Sequence, residues 1–444
     1  MNATARTLLA AGAAGLLEAS TALATNPLIL DQFTADPTAR GFEGRVYVYP
    51  SHDIPPRPGC RPDWFCMEDY HVFSSANLTD WTDHGVVLRQ ADVPWVDPAT
   101  YSLWAPDCVS KNGTYYFFFP ARDRTGIFRI GVARSPHPGG PFRPEARPID
   151  GVRGVDPGVF IDRDGRAYLF FSAHRIYVAK LKDSLLEIDG PPREIAQLPA
   201  QGLLEGPFVF ERKGVYYLTY PHVADRTERL EYATAAHPLG PYRPAGVIMD
   251  ELPSGCWTNH QSVVEYEGQW YLFYHDNQLS PGFDKNRSMR ADRLAFNADG
   301  TIRKAVPTLR GVGIVDAGSR IQIDRTSATS RRGVSASFLD AADPREGWKI
   351  RLDGRGAWVR FNQVDFGEAA RTSVLARAVS ATGGAVEIRA DREDGPVLGR
   401  VEIAPGREWA VIRAPAAAMP AGVHDLFVVQ AGDEAVELDW IRFE

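Results

Sequence analysis

A Gly followed three positions later by Tyr, inside an aromatic run typical of a β-strand, occurs five times in the first 275 residues. The copies are spaced by about 50 to 70 residues, close to the length of one four-stranded propeller blade. Each run follows an apolar segment and a polar turn, which is the pattern of a β-hairpin. The repeat therefore predicts five blades. The pairs are Gly44/Tyr47, Gly113/Tyr116, Gly165/Tyr168, Gly214/Tyr217 and Gly268/Tyr271.

A polar residue stands six to nine positions before each of these glycines. Equivalent positions of a radial repeat face the same axis, so we expect these side chains at the starts of the inner strands. They would then surround the mouth of the central channel, where a propeller can bind a ligand. The residues are Asp36, Asp107, Asp156, Glu205 and His260.

The chain changes character after Asp299 and becomes richer in Arg, Ala and Val. Alternating polar and apolar residues in this part predict half-buried strands, and short strands between Gly, Asp and Pro turns are typical of a β-sandwich. At 444 residues the chain is also long enough for two domains. We predict an all-β protein with a five-bladed β-propeller at 25–315 and a jelly-roll-like β-sandwich at 320–444. The clearest alternating runs are 357–366, 385–391 and 424–430.

Residues 1–24 have the pattern of a signal peptide. Arg6 precedes a run of small and apolar residues that ends at Leu17, and Ala22 to Ala24 form a small-residue cleavage site. This pattern predicts a secreted or periplasmic protein. Glu18 lies close to the apolar run and leaves a cytoplasmic location open.

The net charge of −7 argues against a nucleic-acid partner, because phosphate binding needs a basic surface. No other apolar run is long enough to span a bilayer, so no membrane partner is expected. The sequence does not indicate an oligomeric state. If the protein is exported, Cys60 and Cys66 are close enough along the chain to form a small disulfide, whereas Cys108 and Cys256 are expected to be buried and free.

Asp36, Asp156 and Glu205 share one further feature, a Pro within the next two residues, which sets the chain direction as an inner strand begins. Carboxyl groups that converge on one pocket raise each other's pKa, so that one acid stays protonated near neutral pH. Glycoside cleavage needs this arrangement, with one carboxylic acid to protonate the leaving oxygen and one carboxylate on the opposite side of the sugar. Individually, each acid could instead be a turn or cap residue.

The segments around these acids, together with LWAPD at 103–107 and NHQSVVE at 259–265, resemble glycoside hydrolase family 43. That family consists of five-bladed propellers that release arabinose and xylose. The resemblance implies that Asp36 is the general base and Glu205 the general acid. It also implies that Asp156 raises the pKa of the acid and orients it, and that the reaction inverts the anomeric carbon.

The resemblance extends to residues that would bind the substrate. Arg287 matches the family arginine that reaches the carboxylates, and His260 matches the family histidine at the channel centre. That histidine often lies near a calcium or other ion, so a structural calcium bound to His260 through water is compatible with the resemblance. No cofactor is expected to be required. Trp104, Trp257 and Phe33 are candidate walls for the sugar ring. Asp107 is expected to hold a turn or a backbone amide and is not assigned a catalytic role.

The C-terminal part resembles a family 6 carbohydrate-binding β-sandwich, on the segments GPVLGRVEI, PAGVHDLFVVQ and LDWIRFE. Trp348, Trp358 and Trp409 are candidate sugar contacts, and Trp440 is expected in the core.

The main hypothesis is an exo-acting, inverting glycoside hydrolase that releases a terminal pentose from an oligosaccharide or polysaccharide. An α-L-arabinofuranosidase or a β-xylosidase fits best, and a β-D-galactofuranosidase on the same scaffold is an alternative. A non-catalytic sugar-binding propeller is a further alternative, although binding alone would not need a proton donor opposite a base. A retaining fructan or sucrose enzyme would need a sequence resembling NDPNG around its nucleophile, whereas this chain has TADPT around Asp36.

Overall fold

A computed structural model describes residues 26–343, 346–368, 371–417 and 420–444. The predicted signal peptide at 1–24 lies outside the described residues. The regular structure of the described part is almost entirely β-strand, with a short 3₁₀ helix at Gln90–Asp92. No helix in these ranges is long and apolar enough to cross a membrane.

Five antiparallel sheets form the propeller, and in each sheet the strands follow one another in chain order. The innermost strands of successive sheets contact each other, and the innermost strand of the fifth sheet returns to that of the first, so the blades close into a ring. The first blade contains β1 (Phe33–Phe42), β2 (Arg45–Asp53), β3 (Asp69–Ser75) and β4 (Thr82–Arg89). The second contains β5 (Asp107–Lys111), β6 (Thr114–Arg122), β7 (Phe128–Ser135) and β8 (Arg143–Pro144). The third contains β9 (Val155–Ile161), β10 (Ala167–Ser172), β11 (Ile176–Leu181) and β12 (Arg193–Glu194). The fourth contains β13 (Phe208–Arg212), β14 (Val215–Val223), β15 (Glu228–Ala235) and β16 (Arg243–Met249), and the fifth contains β17 (Ser262–Tyr266), β18 (Gln269–Asp276) and β19 (Ser288–Leu294).

The hairpin interpretation of the Gly/Tyr repeat is confirmed. In every blade the glycine lies in the turn between the first and second strands, where its φ is between 73° and 82°. A side chain is strained at such an angle, which explains the repeated glycine. The aromatic runs form the second strands, and their rings pack between neighbouring blades instead of toward one shared centre. The repeat is thus the packing unit of the propeller.

The fifth blade differs from the four-stranded expectation because its sheet has three strands. The N-terminal segment runs along the outer edge of β19, where the backbone N–H of Leu28 donates to the carbonyl of Met289 at 2.9 Å. The Asn26 side chain donates to the carbonyl of Ala291 and accepts from its N–H, both at 2.9 Å. The segment that begins at Asn26 therefore covers the outer edge of β19, where a fourth strand would otherwise pair.

Two six-stranded sheets form the C-terminal sandwich. The predicted strands at 357–366, 385–391 and 424–430 are confirmed by β25 (Trp358–Asp365), β27 (Gly384–Ala390) and β30 (Val423–Gln430). The inner faces of both sheets supply one apolar core. One sheet contains β20 (Val315–Asp316), β22 (Ala328–Thr329), β25 (Trp358–Asp365), β27 (Gly384–Ala390), β28 (Val397–Ile403) and β30 (Val423–Gln430). The other contains β21 (Ile321–Gln322), β23 (Val334–Phe338), β24 (Trp348–Leu352), β26 (Ser373–Val379), β29 (Ala410–Pro415) and β31 (Val436–Phe443).

Cys60 and Cys66 form a disulfide, and Cys108 and Cys256 are buried and free, as predicted. Trp440 is buried, again as predicted, and so is Trp348. Trp358 packs edge-on against Phe427, at 5.2 Å between ring centroids.

Candidate active site

A cavity of about 490 Å³ lies at the mouth of the propeller channel, which is within the size range of small-molecule sites. Asp36, Asp156, Glu205 and His260 all line this cavity. They come from four different blades, each at or just before an inner strand. The structure therefore brings together four of the five polar residues that the repeat aligned.

A β-bulge directs the side chains of both Asp36 and Asp156 toward the cavity. In β1 the strand register shifts between Ala35 and Thr38, and in the third blade the pairing of β9 with β10 shifts at the equivalent place. Both Asp residues have a left-handed φ, 47° at Asp36 and 54° at Asp156, which few residues other than glycine adopt. Such β-bulges re-aim a side chain and occur next to active sites. The Asp-Pro pairs in the sequence mark these bulges.

Arg287 pairs with Asp36 in a two-pronged contact, at 2.8 Å from Nη1 to Oδ1 and 3.2 Å from Nη2 to Oδ2. The other side of the guanidinium and the backbone N–H of Arg287 bind Asp53 at 2.9–3.0 Å. Arg287 is only 3% exposed, so its charge is screened little by solvent. The predicted contact between Arg287 and the carboxylates is present, and Asp53, which sequence reasoning missed, holds the arginine in place.

Asp36 is kept ionised by its surroundings. Burial alone would raise its pKa, but Arg287, followed by His275 and His260, lowers the pKa to about 2. The Ser51 hydroxyl also donates to Oδ2 at 2.6 Å, and this hydrogen bond favours the charged form. A carboxylate in this state can accept a proton from water at any ordinary pH.

Asp156 and Glu205 have the opposite electrostatic character. Burial, followed by the charge of Glu205, raises the pKa of Asp156 to about 7. Burial also raises the pKa of Glu205, against a hydrogen bond with Glu228 that lowers it. The Oδ2 atom of Asp156 accepts the backbone N–H of Gly206 at 3.1 Å, directly after Glu205. Asp156 is thus coupled to Glu205 through charge and through the backbone.

Glu228, on β15, is a cavity residue that sequence reasoning missed. Its Oε2 atom accepts the backbone N–H of Asn259 at 2.7 Å, and its carboxyl group is hydrogen-bonded to that of Glu205. Burial, followed by the charge of Glu205, raises its pKa well above the usual range. Glu205 and Glu228 therefore form a buried acid pair that holds a proton to higher pH than an isolated carboxyl does.

Aromatic side chains form the walls of the cavity, and the predicted Trp104 and Trp257 are among them. Phe33 does not line this cavity. Trp64 and Phe65 do so instead, and they lie in the loop that carries the Cys60–Cys66 disulfide. The loop between β2 and β3 therefore walls one side of the cavity. No motif in the sequence distinguishes these two aromatic residues from others in the loop.

Asp107 lies away from the cavity and joins blades to each other. It accepts two hydrogen bonds from Arg40, at 3.0 and 2.6 Å, and one from the backbone N–H of Val159 at 2.6 Å. A backbone-holding role had been expected for Asp107, and this geometry agrees with it.

The surroundings of His260 offer few ligands for an ion. Its Nδ1 atom lies 3.7 Å from Oδ1 of Asp36, whose charge is already balanced by Arg287. Among the described residues, the group of three or more His, Cys, Asp and Glu side chains spaced to hold a metal is elsewhere, in the first blade. Calcium prefers six to eight oxygen ligands, so the residues here fit it only through water, with His260 holding a coordinated water molecule. A calcium ion at this position stays a prediction.

Comparison with known proteins agrees with this geometry. Residues 24–302 match the model of glycosyl hydrolases family 43, which covers more than half of the chain. The chain belongs to glycosyl hydrolases family 43. Residues 326–444 match the model of carbohydrate binding module family 6. The family 43 match makes this protein a glycoside hydrolase and confirms the predicted propeller, and the family 6 match confirms the predicted sandwich.

Three relatives illustrate the similarity. Xylosidase/arabinosidase 43A of Humicola insolens is 38% identical over 326 residues, which cover 62% of this chain and 98% of that protein. The arabinoxylan arabinofuranohydrolase of Bacillus subtilis is 27% identical over 466 residues, which cover 92% of this chain and 89% of the other. The crystal structure of CoXyl43, a β-xylosidase/α-arabinofuranosidase from a compost microbial metagenome in complex with xylotriose, is 38% identical. Its TM-score is 0.58, with 64% of this chain and 97% of that chain covered.

Proposed function

We propose that this glycoside hydrolase is an exo-acting, inverting enzyme that releases a terminal pentose, either α-L-arabinofuranose or β-D-xylose. The observation that carries the proposal is the electrostatic contrast across one cavity. Arg287 keeps the Asp36 carboxylate charged, whereas burial raises the pKa of both Glu205 and Glu228 and so favours a bound proton on this pair. One site thus contains a base and an acid, as glycoside hydrolysis requires.

Each carboxyl has one role in the proposed reaction. Glu205 transfers its proton to the glycosidic oxygen as the bond to the anomeric carbon breaks. Asp36 accepts a proton from a water molecule, whose oxygen attacks the anomeric carbon from the opposite face. Asp156 and Glu228 do not exchange protons with the substrate; they orient Glu205, whose burial favours its protonated form. Proton transfers of this kind contribute about 10²- to 10⁴-fold each, and they need no cofactor.

The choice of sugar rests on the relatives and on the cavity walls. The related proteins reported above are named for xylose and arabinose release, which supports a pentose. Trp64, Phe65 and Met67 from the disulfide-bonded loop line the cavity beside the carboxyls, and such a wall favours a blind pocket for one terminal sugar over an open groove. A furanose with one more exocyclic carbon, as in β-D-galactofuranosides, remains the alternative substrate.

We further propose that the protein acts outside the cytoplasm. The signal-like pattern at 1–24 and the disulfide between Cys60 and Cys66 both support this location, since disulfides persist in oxidising compartments. Export can be measured by the N-terminal sequence of the protein recovered from culture medium or periplasm. An uncleaved N-terminus in the cytoplasmic fraction would contradict it.

The function is tested by hydrolysis of 4-nitrophenyl α-L-arabinofuranoside, β-D-xylopyranoside and β-D-galactofuranoside. Glu205→Gln should lower kcat by about 10²- to 10⁴-fold on the active substrate without loss of folding. Glu402→Gln, an exposed position in the sandwich, is the matched control and should keep full activity.

The outcomes separate the alternatives. Release of nitrophenol from the galactofuranoside alone would replace the pentose by a hexofuranose. If neither these substrates nor arabinoxylan is hydrolysed, and xylotriose binds equally to wild type and Glu205→Gln, the protein is a sugar-binding propeller. Proton NMR of the first-formed sugar anomer tests inversion, and an initially retained configuration would contradict it.

A further inference from the structure

A cluster of two imidazoles and two carboxylates lies in the first blade, apart from the residues that line the active-site cavity. His52 is on β2, Asp69 and His71 are on β3, and Asp83 is on β4. One ring nitrogen from each histidine and one carboxylate oxygen of Asp69 lie within 4.8 Å of one another. Imidazole nitrogens and a carboxylate at this spacing are the ligands that zinc and similar divalent ions prefer.

Each imidazole in the cluster is oriented by its own carboxylate. The Nδ1 atom of His52 lies 2.6 Å from Oδ1 of Asp69, and the Nδ1 atom of His71 lies 3.0 Å from both oxygens of Asp83. Within the described part of the chain, no hydrogen bond is made by the Nε2 atom of either ring. Histidines that bind metals usually donate their other ring N–H to a carboxylate, which sets the tautomer and presents the free nitrogen to the ion.

The two rings are also close to each other and open to solvent. Their centroids are 4.9 Å apart, and the planes are inclined by 69°. The side chains of His52, Asp69 and His71 are between 14% and 18% exposed. An ion can therefore reach the cluster while most of each ligand stays fixed by packing. The side-chain amide of Gln32 donates a hydrogen bond to Asp83 at 3.1 Å and helps to hold this carboxylate beside His71.

From these contacts we propose that His52, His71 and Asp69 form a binding site for a divalent transition-metal ion of the Zn²⁺ type, with Asp83 orienting His71. Three protein ligands leave room for water in the coordination shell, as at open zinc sites. This site is separate from the predicted calcium position at His260, and it does not depend on the proposed sugar specificity.

The position of the cluster indicates what the ion does. His52 lies at the end of β2 and Asp69 begins β3, so the cluster joins the two ends of the loop at 54–68. That loop carries the Cys60–Cys66 disulfide and the cavity wall residues Trp64 and Phe65. A metal ion at its base would clamp the wall of the active site, just as the disulfide closes the loop further out.

The test is metal binding by the full chain after treatment with EDTA and dialysis. Wild type should bind one Zn²⁺ per chain at this site in isothermal titration calorimetry. His52→Gln and His71→Gln should each weaken this binding at least tenfold, since loss of one supporting group already costs about 10- to 100-fold. His424→Gln is the matched control, because His424 also has its Nδ1 atom beside a carboxylate, that of Asp391, but belongs to no group spaced to hold a metal among the residues that the structure describes.

Two results would overturn the proposal: no stoichiometric binding by wild type, or equal affinity in wild type and both cluster variants. Should the variants fail to fold, X-ray absorption of zinc-loaded wild type decides the question. Two imidazole nitrogens in the first coordination shell are expected, and a shell without imidazole would reject the site. Zinc should also raise the Tm of wild type and of His424→Gln, but not that of His71→Gln.

Discussion

In the propeller, the innermost side chains include charged groups, whereas the sandwich packs an apolar core between its two sheets. Asp36, Asp53 and Arg287 are each buried at the propeller mouth and held by mutual ion pairs. In the sandwich, Glu387 and Arg400 form ion pairs at the surface instead. Buried charges contribute little or nothing to net stability, while burial of apolar groups is the main driving force of folding. The buried charges of the propeller mouth therefore serve the active site and not the stability of the fold.

The two regions meet through polar contacts. Arg325, at the start of the sandwich, donates to the backbone carbonyl of Asn26, and Asn26 also joins the edge of β19. Arg310 is buried and donates to the carbonyls of Gly313 and Asn362. The N-terminal segment therefore connects the last blade with the sandwich, so the sandwich is attached to the propeller where the ring of blades closes.

Arg287→Met should have the largest effect. It leaves two buried carboxylates, Asp36 and Asp53, without their cation, and breaking a buried ion pair in this way costs about 3–5 kcal/mol. The pKa of Asp36 should rise, so the remaining activity should fall on acidification at a higher pH than in wild type. Urea unfolding and the pH dependence of kcat/KM measure both effects.

The matched change in the sandwich is Arg400→Met, whose ion pairs with Glu387 and Glu402 are exposed. We expect the free energy of unfolding of this variant to fall by less than about 1 kcal/mol and its activity to stay unchanged. Equal losses of unfolding free energy in Arg287→Met and Arg400→Met would contradict the proposed difference between the propeller and the sandwich.

Leu438→Ala tests the apolar side of the comparison. Leu438 is fully buried in the sandwich core, and such a truncation costs about 2–5 kcal/mol. Calorimetry should show a lower unfolding temperature for the sandwich, while kcat at 25 °C on a nitrophenyl glycoside stays at the wild-type value. A drop in kcat for the folded protein would mean that the sandwich supports the active site directly.

Glu228→Gln tests the acid pair. With Gln at this position no second carboxyl shares the proton, and the amide can still donate a hydrogen bond to the Glu205 carboxylate, so the pKa at which Glu205 loses its proton should fall. Activity at pH 7 should decrease about 10- to 100-fold, and the alkaline limb of kcat/KM should move to lower pH. Glu228→Asp should restore part of the shift. An unchanged pH profile in Glu228→Gln would show that Glu228 only fills space.

Asp156→Asn should change stability in a pH-dependent way, because the pKa of Asp156 is raised. Because the pKa of Asp156 is raised to about 7 from 3.8, the folded state holds this proton more tightly than the unfolded state does. The stabilisation is complete at low pH and is lost as the pH rises through about 7. Between pH 5 and pH 8, the free energy of unfolding of the variant should rise by about 1–3 kcal/mol relative to that of wild type. The exposed Asp164→Asn should follow wild type in the same urea titrations, and a parallel course for Asp156→Asn would contradict the raised pKa.

Sequence reasoning identified much of the site because the repeat aligns it. Asp36, Asp156, Glu205 and His260 occupy equivalent places in successive units, and the fold carries that equivalence into space. Phe33 has no such register signal, and it does not line the cavity although it is only three residues from Asp36. An aromatic residue near a motif is a weak predictor because alternate residues of a strand face opposite sides.

The sequence by itself determined the number of blades, the hairpins, three strands of the sandwich and the order of the three acids, because these depend on local periodicity, turn chemistry and motif spacing. Tertiary structure alone decided that Glu228 would lie beside Glu205 and that Asp53 would hold Arg287, which is 234 residues away along the chain. It also decided that His52 and His71 would face each other on neighbouring strands. The pKa values of the carboxyls follow from these contacts, because burial and charge at short range depend on which distant segments pack together.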